Sequence, residues 1–515
     1  MKSLLRFCSF AFLRAYLICI LTGVSWAAEP PKDSKPEAKA PEEKTVVTTH
    51  TLTIGDRTIR YRATAGTILL RKDEKGTFEP RASVFYVAYT LDGADTATRP
   101  VTFSFNGGPG SSSVWLHLGL LGPRRVLLKD FGTPPPPPAK LVDNEFSLLD
   151  ASDLVFIDPV STGYSRPVPA ADRREFHGVN EDIDSVGEFI RLWITRNDRW
   201  SSPKFLIGES YGTTRAAGLA GRLQENLGIY LNGIMLVSSV LDFQTLVASE
   251  GNDLPYIVYL PTYAASAWFH KRLSPEMQSR PLADVVAEAR AFATGEYATA
   301  LLKGDSLTAA ERAEIARKMA GFIGLTPQLV EDYKLRIKQW EFGKELLRDQ
   351  GLSIGRYDSR YTAPEPRRAG SGTEIDPSYS ALLGPMTSAL NAYMRGELNY
   401  KSDLPYEILT SVQPWNWGNS DNNYLNMTDK LRRAMAFNPY LDVFVARGYY
   451  DLATPWAAAQ YTFDHLGLPG GEKGRVTAKD YEAGHMMYAH RESLEKLSAD
   501  LHGFVEKTME NPEQK

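Results

Sequence analysis

The chain has 515 residues, of which 43% are hydrophobic and 23% are charged, a composition typical of a globular protein with a large core. Its formal net charge at pH 7 is −4, which excludes a strongly basic surface of the kind that binds nucleic acid. The length favours one large domain with an insertion, or two to three smaller domains.

Residues 1–28 have the pattern of a secretory signal peptide. Basic residues come first, residues 15–21 form an apolar centre, and Ser25-Trp26-Ala27 is a small-x-small cleavage site. The apolar run is too short to span a bilayer. The pattern therefore predicts a secreted or periplasmic protein without a stable membrane anchor.

Both cysteines, Cys8 and Cys19, lie in this leader. We therefore expect the processed chain to have no thiol, which excludes disulfides, cysteine catalysis and a cysteine-ligated metal. Residues 29–44 follow, and their richness in Pro, Lys, Glu and Ala predicts a disordered linker.

Residues 45–245 read as the first part of an α/β core. Runs rich in β-forming residues at 48–54, 58–63 and 82–90 predict an antiparallel meander. Apolar strands then alternate with helical spacing, an order that implies a parallel sheet with crossover helices. The predicted strands are 101–105, 153–158, 205–207 and 233–237, and the clearest predicted helix between them is 181–196.

The pattern changes after about residue 245. Residues 246–435 read as mostly helical, which predicts an insertion that caps the site. An apolar run typical of a buried strand occurs again at residues 441–446, so residues 436–510 are predicted to complete the core. The predicted fold is α/β, with a mostly parallel central sheet and a mainly helical insertion.

The most informative motif is Gly208–Gly212, which reads Gly-Glu-Ser-Tyr-Gly and directly follows the apolar run 205–207. In an α/β-hydrolase fold, a G-x-S-x-G pattern forms the sharp strand-to-helix turn that lifts a nucleophilic serine above the sheet. Small residues flank such a turn because its backbone is strained and a Cβ atom would clash. The motif predicts Ser210 as the nucleophile.

A serine hydrolase also needs a base and an orienting acid, which follow the serine in the order Asp/Glu and then His in this fold. Asp451 follows the strand predicted at 441–446, and His485 lies on a predicted loop before the last helix. Of the eight histidines, His490 is the competitor, on what reads as a helix surface. Position favours His485 as the base and Asp451 as its partner.

An oxyanion hole is predicted from two backbone segments. The residue after the nucleophile, Tyr211, is expected to donate its N–H, and the glycine-rich loop Asn106–Gly110 is expected to supply the other donor. Glycine there lets the backbone approach the oxygen. The alternative is an ordinary Gly-Pro turn.

Together these residues resemble the serine carboxypeptidase family (peptidase family S10), in the form of a secreted bacterial member. The pairing of Glu-Ser-Tyr at the turn with Asn-Gly-Gly-Pro-Gly upstream is specific to that family. The motifs that carry the resemblance are Asn106–Ser113, Leu121–Pro123, Phe156–Ser165, Gly208–Gly212, Asp451 and Gly484–Met486.

The resemblance implies an α/β-hydrolase that removes C-terminal residues from peptides or proteins, without a metal or another cofactor. It implies that Ser210 attacks, that His485 is the base and that Asp451 orients it. It also implies an oxyanion hole from the N–H groups of Gly108 and Tyr211, and a site for the substrate's terminal carboxylate formed by Asn106 and Glu209.

One departure leaves the substrate class open. Family members have a second glutamate that pairs with the glutamate of the turn, and here that position is Leu120. An esterase, amidase or acyltransferase on the same triad is therefore the alternative. A non-catalytic binding protein on this fold is a third hypothesis, against which the intact triad argues. The sequence leaves the oligomeric state open.

Overall fold

The structure is a computed structural model, and it describes residues 41–131, 134–418, 423–468 and 474–510. The predicted signal peptide, 1–28, and most of the predicted linker, 29–44, lie outside the described residues. Of the last linker residues, Glu43 contacts the sheet, since its carboxylate accepts a hydrogen bond from the N–H of Leu69 at 2.8 Å.

The described residues contain fourteen strands, ten of which belong to one sheet. They are β1 (Thr45–Ile54), β2 (Arg57–Glu74), β3 (Thr77–Leu91), β4 (Val101–Phe105), β5 (Arg124–Val126), β6 (Leu141–Asp143), β7 (Asp153–Ile157), β8 (Arg166–Pro167), β9 (Lys204–Glu209), β10 (Gly233–Val237), β11 (Leu352–Ile354), β12 (Thr362–Pro364), β13 (Asp442–Gly448) and β14 (Val476–Tyr481). The order in the large sheet is β1-β2-β3-β7-β4-β9-β10-β13-β14, with β8 paired to β3.

The sheet has an antiparallel edge and a parallel centre. Strands β1, β2 and β3 form the predicted antiparallel meander, and β3 pairs antiparallel with β7. From β7 to β14 every neighbouring pair is parallel. Strands β4, β7, β9, β10 and β13 are buried along their whole length. Burial on both faces explains why their sequences read as continuous apolar runs.

Fourteen α-helices lie in the described ranges. They are α1 (Val114–Leu116), α2 (Val179–Arg196), α3 (Tyr211–Leu227), α4 (Leu254–Phe269), α5 (Pro275–Gln278), α6 (Leu282–Phe292), α7 (Ala298–Lys303), α8 (Ala309–Ile323), α9 (Pro327–Asp332), α10 (Gln339–Glu345), α11 (Pro377–Gly396), α12 (Thr428–Phe437), α13 (Trp456–Asp464) and α14 (Arg491–Met509). None of these helices has the length and apolar character needed to cross a bilayer.

Two apolar clusters cover the two faces of the sheet. One face carries alternate residues such as Phe205 and Met235 and packs against α11 and α14. The other face carries Leu206 and Ile234 and packs against α2, α3 and α12. The period-2 alternation of strand side chains assigns neighbouring residues to opposite layers. The parallel sheet thus lies between two helical layers, as the sequence pattern predicts.

The helices between β10 and β13 form two groups that pack against different parts of the protein. Helices α4 and α6 to α10 contribute to a third apolar cluster, which also includes Tyr450 and Trp456 from the segment after β13. Helices α11 and α12 instead pack with the sheet, through residues such as Met386 and Leu431. The turn after β13 therefore lies between the sheet and the helical insertion.

A buried ion pair joins α2 to α3 beneath the end of β4. The guanidinium of Arg215 donates to the carboxylate of Asp182 at 2.7 and 3.2 Å and to the carbonyl of Asn106 at 2.5 Å. The side chains of Arg215 and Asp182 are only 1% and 3% exposed. Because neither charge can reach water, each depends on the other for stabilisation.

Replacing Asp182 by Ala should lower the free energy of unfolding by about 3–5 kcal/mol, because the Arg215 charge would remain buried without a partner. Urea unfolding followed by circular dichroism measures the loss. The matched control is Asp184→Ala, which breaks the Arg222–Asp184 pair between the same two helices, where the aspartate is 59% exposed. We expect that change to cost at most about 1 kcal/mol, and equal losses in the two variants would contradict the argument.

Candidate active site

Ser210 lies at a strained turn between β9 and α3. Its φ and ψ angles are 60° and −131°, a conformation that non-glycine residues adopt only where the surroundings impose it. A Cβ atom on Gly208 would lie 2.2 Å from the carbonyl oxygen of Gly212, and one on Gly212 would lie 2.8 Å from that of Phe105. The turn therefore requires glycine at both positions, as the motif predicts.

His485 and Asp451 meet at the carboxyl ends of two neighbouring strands, β13 and β14. The Nδ1 atom of His485 lies 2.8 Å from the Oδ2 atom of Asp451, and the two side chains are 2% and 0% exposed. The other carboxylate oxygen accepts hydrogen bonds from the N–H groups of Ala453 and Thr454. The structure thus brings together the two residues that the sequence predicts as base and acid.

Thr454 is a member of this cluster that the sequence analysis missed. Its hydroxyl lies 2.7 Å from Oδ2 of Asp451 and 3.1 Å from Nδ1 of His485. The only sequence signal is a threonine three residues after an aspartate, which is too common to single out. By contrast, the competitor His490 contacts Ser493 at 2.8 Å, at the start of α14, and does not line the cleft.

The backbone around His485 is held from two sides. Its N–H donates to the carbonyl oxygen of Tyr357 at 2.6 Å, and its carbonyl oxygen accepts from the hydroxyl of Ser238 at 2.6 Å. The side chains of Ser210 and His485 line the same cleft. No hydrogen bond of the Ser210 hydroxyl is found to any described residue, and such contacts in ligand-free sites often tighten only when substrate binds.

The pKa of His485 is raised above its ordinary value of 6.5. Burial alone would lower it, but the carboxylate of Asp451 outweighs burial through its charge and its hydrogen bond. The hydrogen bond to Nδ1 leaves Nε2 as the atom that can take or give a proton. A histidine must be neutral to act as a base. Because its pKa is raised, His485 loses its proton only at a higher pH than an ordinary histidine does.

The glycine-rich loop after β4 packs directly against the turn at Ser210. A Cβ atom on Gly107 would lie 2.4 Å from the backbone nitrogen of Tyr211. Gly108 and Gly110 have φ angles of 101° and 105°, which other residues rarely adopt. This close approach puts the loop backbone next to the N–H of Tyr211, where two donors can face the oxygen of a bound carbonyl.

Asn106 and Glu209 form a buried pair beside the nucleophile. The Nδ2 atom of Asn106 donates to the carboxyl of Glu209 at 2.9 Å, and the residues are 1% and 2% exposed. Burial raises the pKa of Glu209 to about 7, although the charge of His485 acts in the opposite direction. The Oε2 atom of Glu209 has no hydrogen-bond partner among the described residues. A protonated Glu209 can therefore donate its proton to a ligand.

Leu120 belongs to the apolar core, where it is 1% exposed. The hydroxyl of Tyr488 lies beside the carboxyl of Glu209 instead and acts to lower its pKa, against the larger effect of burial. The Tyr488 ring lies so close to Gly119 that a Cβ atom there would be 2.4 Å from it. Sequence analysis missed Tyr488, because nothing in its local sequence marks it.

The serine carboxypeptidase family model matches residues 75–288. Among curated proteins, Serine carboxypeptidase-like 35 of Arabidopsis thaliana is 25% identical over 276 residues, 51% of each chain. Serine carboxypeptidase-like 22 of the same plant is 23% identical over 398 residues, 75% of this chain and 74% of the relative. The match thus spans about half the length of the first of these relatives. These matches support the resemblance to that family.

Among solved structures, the crystal structure of Kex1(delta)p, a prohormone-processing carboxypeptidase from Saccharomyces cerevisiae, superposes with a TM-score of 0.55. The sequences are 16% identical, and the match covers 87% of this chain and 91% of that one. At this identity the likeness concerns the fold. Together with the mostly parallel sheet and its flanking helices, it confirms the predicted α/β-hydrolase fold.

If Ser210 is an activated serine, a fluorophosphonate probe should label it, and Ser210→Ala should abolish the labelling. The labelling rate should rise with pH with a midpoint above 6.5, because the base must be neutral and the pKa of His485 is raised. Rates measured by gel fluorescence from pH 5 to 9 test this. A midpoint below 6.5 would contradict the assigned environment of His485.

Thr454→Val should slow that labelling about tenfold at neutral pH, because Asp451 loses a hydrogen-bond donor to its charged form. The control is Thr462→Val on α13, which removes another buried hydroxyl, bonded to the carbonyl of Ala458 at 2.9 Å. Equal rates for the two variants would show that Thr454 does not support the pair.

Proposed function

We propose that this chain is a serine-type carboxypeptidase, which hydrolyses the C-terminal peptide bond of a peptide or protein through a Ser210-His485-Asp451 triad. The observation that carries the proposal is the buried pair of Asn106 and Glu209, which lines the same cleft as Ser210. Glu209 directly precedes Ser210 in the chain. That pair offers hydrogen-bond donors at a place where an exopeptidase must recognise a free carboxylate. The family match and the α/β-hydrolase fold support it.

The proposed reaction proceeds through an acyl-enzyme. Nε2 of His485 takes the proton of the Ser210 hydroxyl as the serine oxygen attacks the carbonyl carbon. The backbone N–H groups of Gly108 and Tyr211 stabilise the negative oxygen of the tetrahedral intermediate. His485 then gives its proton to the leaving amine, which departs as the C-terminal residue. Water, deprotonated by His485, hydrolyses the ester and restores Ser210.

In this proposal Asn106 and Glu209 hold the terminal carboxylate of the substrate. Two carboxylates repel each other, so Glu209 must carry a proton when the substrate is bound. Its pKa of about 7 keeps it protonated at acidic pH without a second carboxyl. We also propose, from the sequence of residues 1–28, that the protein is secreted or periplasmic.

The first test compares a blocked dipeptide with a free C-terminus, its C-terminal amide and its methyl ester. We expect the free acid to be cleaved at least about a hundredfold faster than the amide, because charged hydrogen bonds to the carboxylate contribute about 1.5–3 kcal/mol each. Release of the amino acid is measured by chromatography, with Ser210→Ala as the blank. Cleavage of the ester alone would favour the esterase or acyltransferase alternative that Leu120 raises.

The pH dependence of substrate affinity tests the role of Glu209. The KM for the free acid should rise above about pH 7, by up to about tenfold per pH unit, as Glu209 loses its proton. Glu209→Gln keeps a neutral donor at every pH and should remove this rise. The methyl ester is the control substrate, since its KM should not depend on Glu209 ionisation. The same rise in the Gln variant would refute the assignment.

A further inference from the structure

Arg356 is a cleft residue that no sequence motif marks. It follows β11, two residues after Ile354, and its side chain lines the same cleft as Glu209, Ser210 and His485. The carbonyl oxygen of its neighbour, Tyr357, accepts the hydrogen bond from the N–H of His485. The segment from the helical insertion that carries Arg356 is thus bound directly to the loop of the proposed base.

The backbone of Arg356 is fixed on both sides. Its N–H donates to the carboxylate of Asp376 at 3.1 Å, and its carbonyl oxygen accepts from the N–H of Leu452 at 3.0 Å. Asp376 in turn caps the first turn of α11. These two contacts fix where the side chain of Arg356 starts, at the wall of the cleft.

The guanidinium of Arg356 nevertheless has no carboxylate within ion-pair distance among the described residues. Its central carbon lies 5.3 Å from the ring of Tyr357, and the residue is exposed to solvent at the cleft. The contrast with Arg360, four residues on, is direct: that guanidinium donates to Asp358 and to the carbonyl oxygen of Glu482, both at 2.7 Å. Arg360 is used by the fold, whereas the donors of Arg356 remain available.

Arg356 keeps its charge in this position. Although the side chain reaches solvent at the cleft, the surrounding protein removes part of its hydration, which alone would lower its pKa. The nearby Tyr357, Tyr259 and Asp376 outweigh this effect and raise the pKa above the ordinary value. A guanidinium presents a planar fork of N–H donors that matches the two oxygens of a carboxylate. A charged guanidinium in the cleft of the nucleophile, without an ion-pair partner among the described residues, is therefore suited to an anionic group of the substrate.

We infer that Arg356 is a specificity-determining residue that binds a carboxylate of the substrate in the cleft. The inference rests on the proposed function, and it names the charge of the preferred substrate. The carboxylate has two possible sources: the terminal α-carboxylate, or the side chain of an aspartate or glutamate next to the cleaved bond. Because Leu120 stands where the family has a second glutamate, Glu209 is the one acidic side chain among the described residues that line the cleft.

The experiment uses the processed protein and the variants Arg356→Gln and Arg356→Lys. The control is Arg312→Gln, which removes one positive charge from α8, outside the cleft. The substrates are blocked Phe-Leu and blocked Phe-Glu with free C-termini, blocked Glu-Leu, and the methyl ester of blocked Phe. Fluorophosphonate labelling and the thermal midpoint show that each variant is folded and has an active serine.

We expect Arg356→Gln to raise KM for free acids by about ten- to a hundredfold, with the ester unaffected and kcat little changed. A rise for every free acid assigns the α-carboxylate, whereas a rise confined to the substrates with glutamate assigns the acidic side chain. Arg356→Lys should recover part of the affinity, because it restores the charge but not the fork. Arg312→Gln should match the wild type.

Two results would overturn the inference. One is an unchanged KM for every free acid in Arg356→Gln, and the other is an equal loss with the ester, which would mean that Arg356 supports the fold of the cleft. If instead the proposed function is wrong, the wild-type protein will cleave esters but no free acid. In that case two aryl esters replace the peptides: a succinyl ester, which carries a carboxylate, and an acetyl ester, which lacks one. If Arg356→Gln changes KM equally for both esters, the proposed role of Arg356 is wrong.

Discussion

The candidate site depends on the buried guanidinium of Arg215. It connects the carboxylate of Asp182 on α2 with the carbonyl oxygen of Asn106 at the end of β4, and it belongs to the first turns of α3. It also lies against the rings of Phe105 and Tyr211, at 5.3 and 5.4 Å. One side chain thus fixes the glycine-rich loop against the strained turn of Ser210. The proposed oxyanion hole needs both segments, so its geometry follows from this contact.

Two buried carboxyl groups near Ser210, those of Asp451 and Glu209, have different hydrogen-bond partners. This difference suits them to different chemical roles. Asp451 accepts hydrogen bonds from two backbone N–H groups and contacts the Thr454 hydroxyl and the His485 ring. Glu209 accepts one amide N–H and lies beside the Tyr488 hydroxyl, but burial outweighs both and raises its pKa, which favours its neutral form. Asp451 can therefore accept hydrogen bonds and orient His485, while Glu209, when protonated, can donate one.

Features that require a particular residue at a particular backbone position could be predicted from the sequence. The turn at Ser210 is one, since Gly208 and Gly212 admit no side chain, and the buried parallel strands are another. Strands β2 and β3 extend beyond their predicted limits as a ribbon whose residues from Arg71 to Glu79 are largely exposed and polar, so the hydrophobic pattern misses them. His502 on α14 lies 2.8 Å from Asp150, a residue 352 positions away, and no local pattern predicts that contact. Tyr488 and Arg356 were missed because their place in the site depends on packing between distant segments, and Thr454 was missed because a threonine three residues after an aspartate is too common to single out.

The environment of Glu209 shows why Leu120 alone does not decide the chemistry of the cleft. With two glutamates side by side, a shared proton would couple their titrations, and neither would have a pKa of its own. Here the neighbour of Glu209 is Tyr488, whose pKa burial raises well above its ordinary value. The phenol stays neutral throughout the range in which Glu209 titrates. Glu209 therefore titrates without a second carboxyl beside it, although the charge of His485 still acts on it. A negative charge on a bound ligand meets these two ionising groups together with the permanent charge of Arg356.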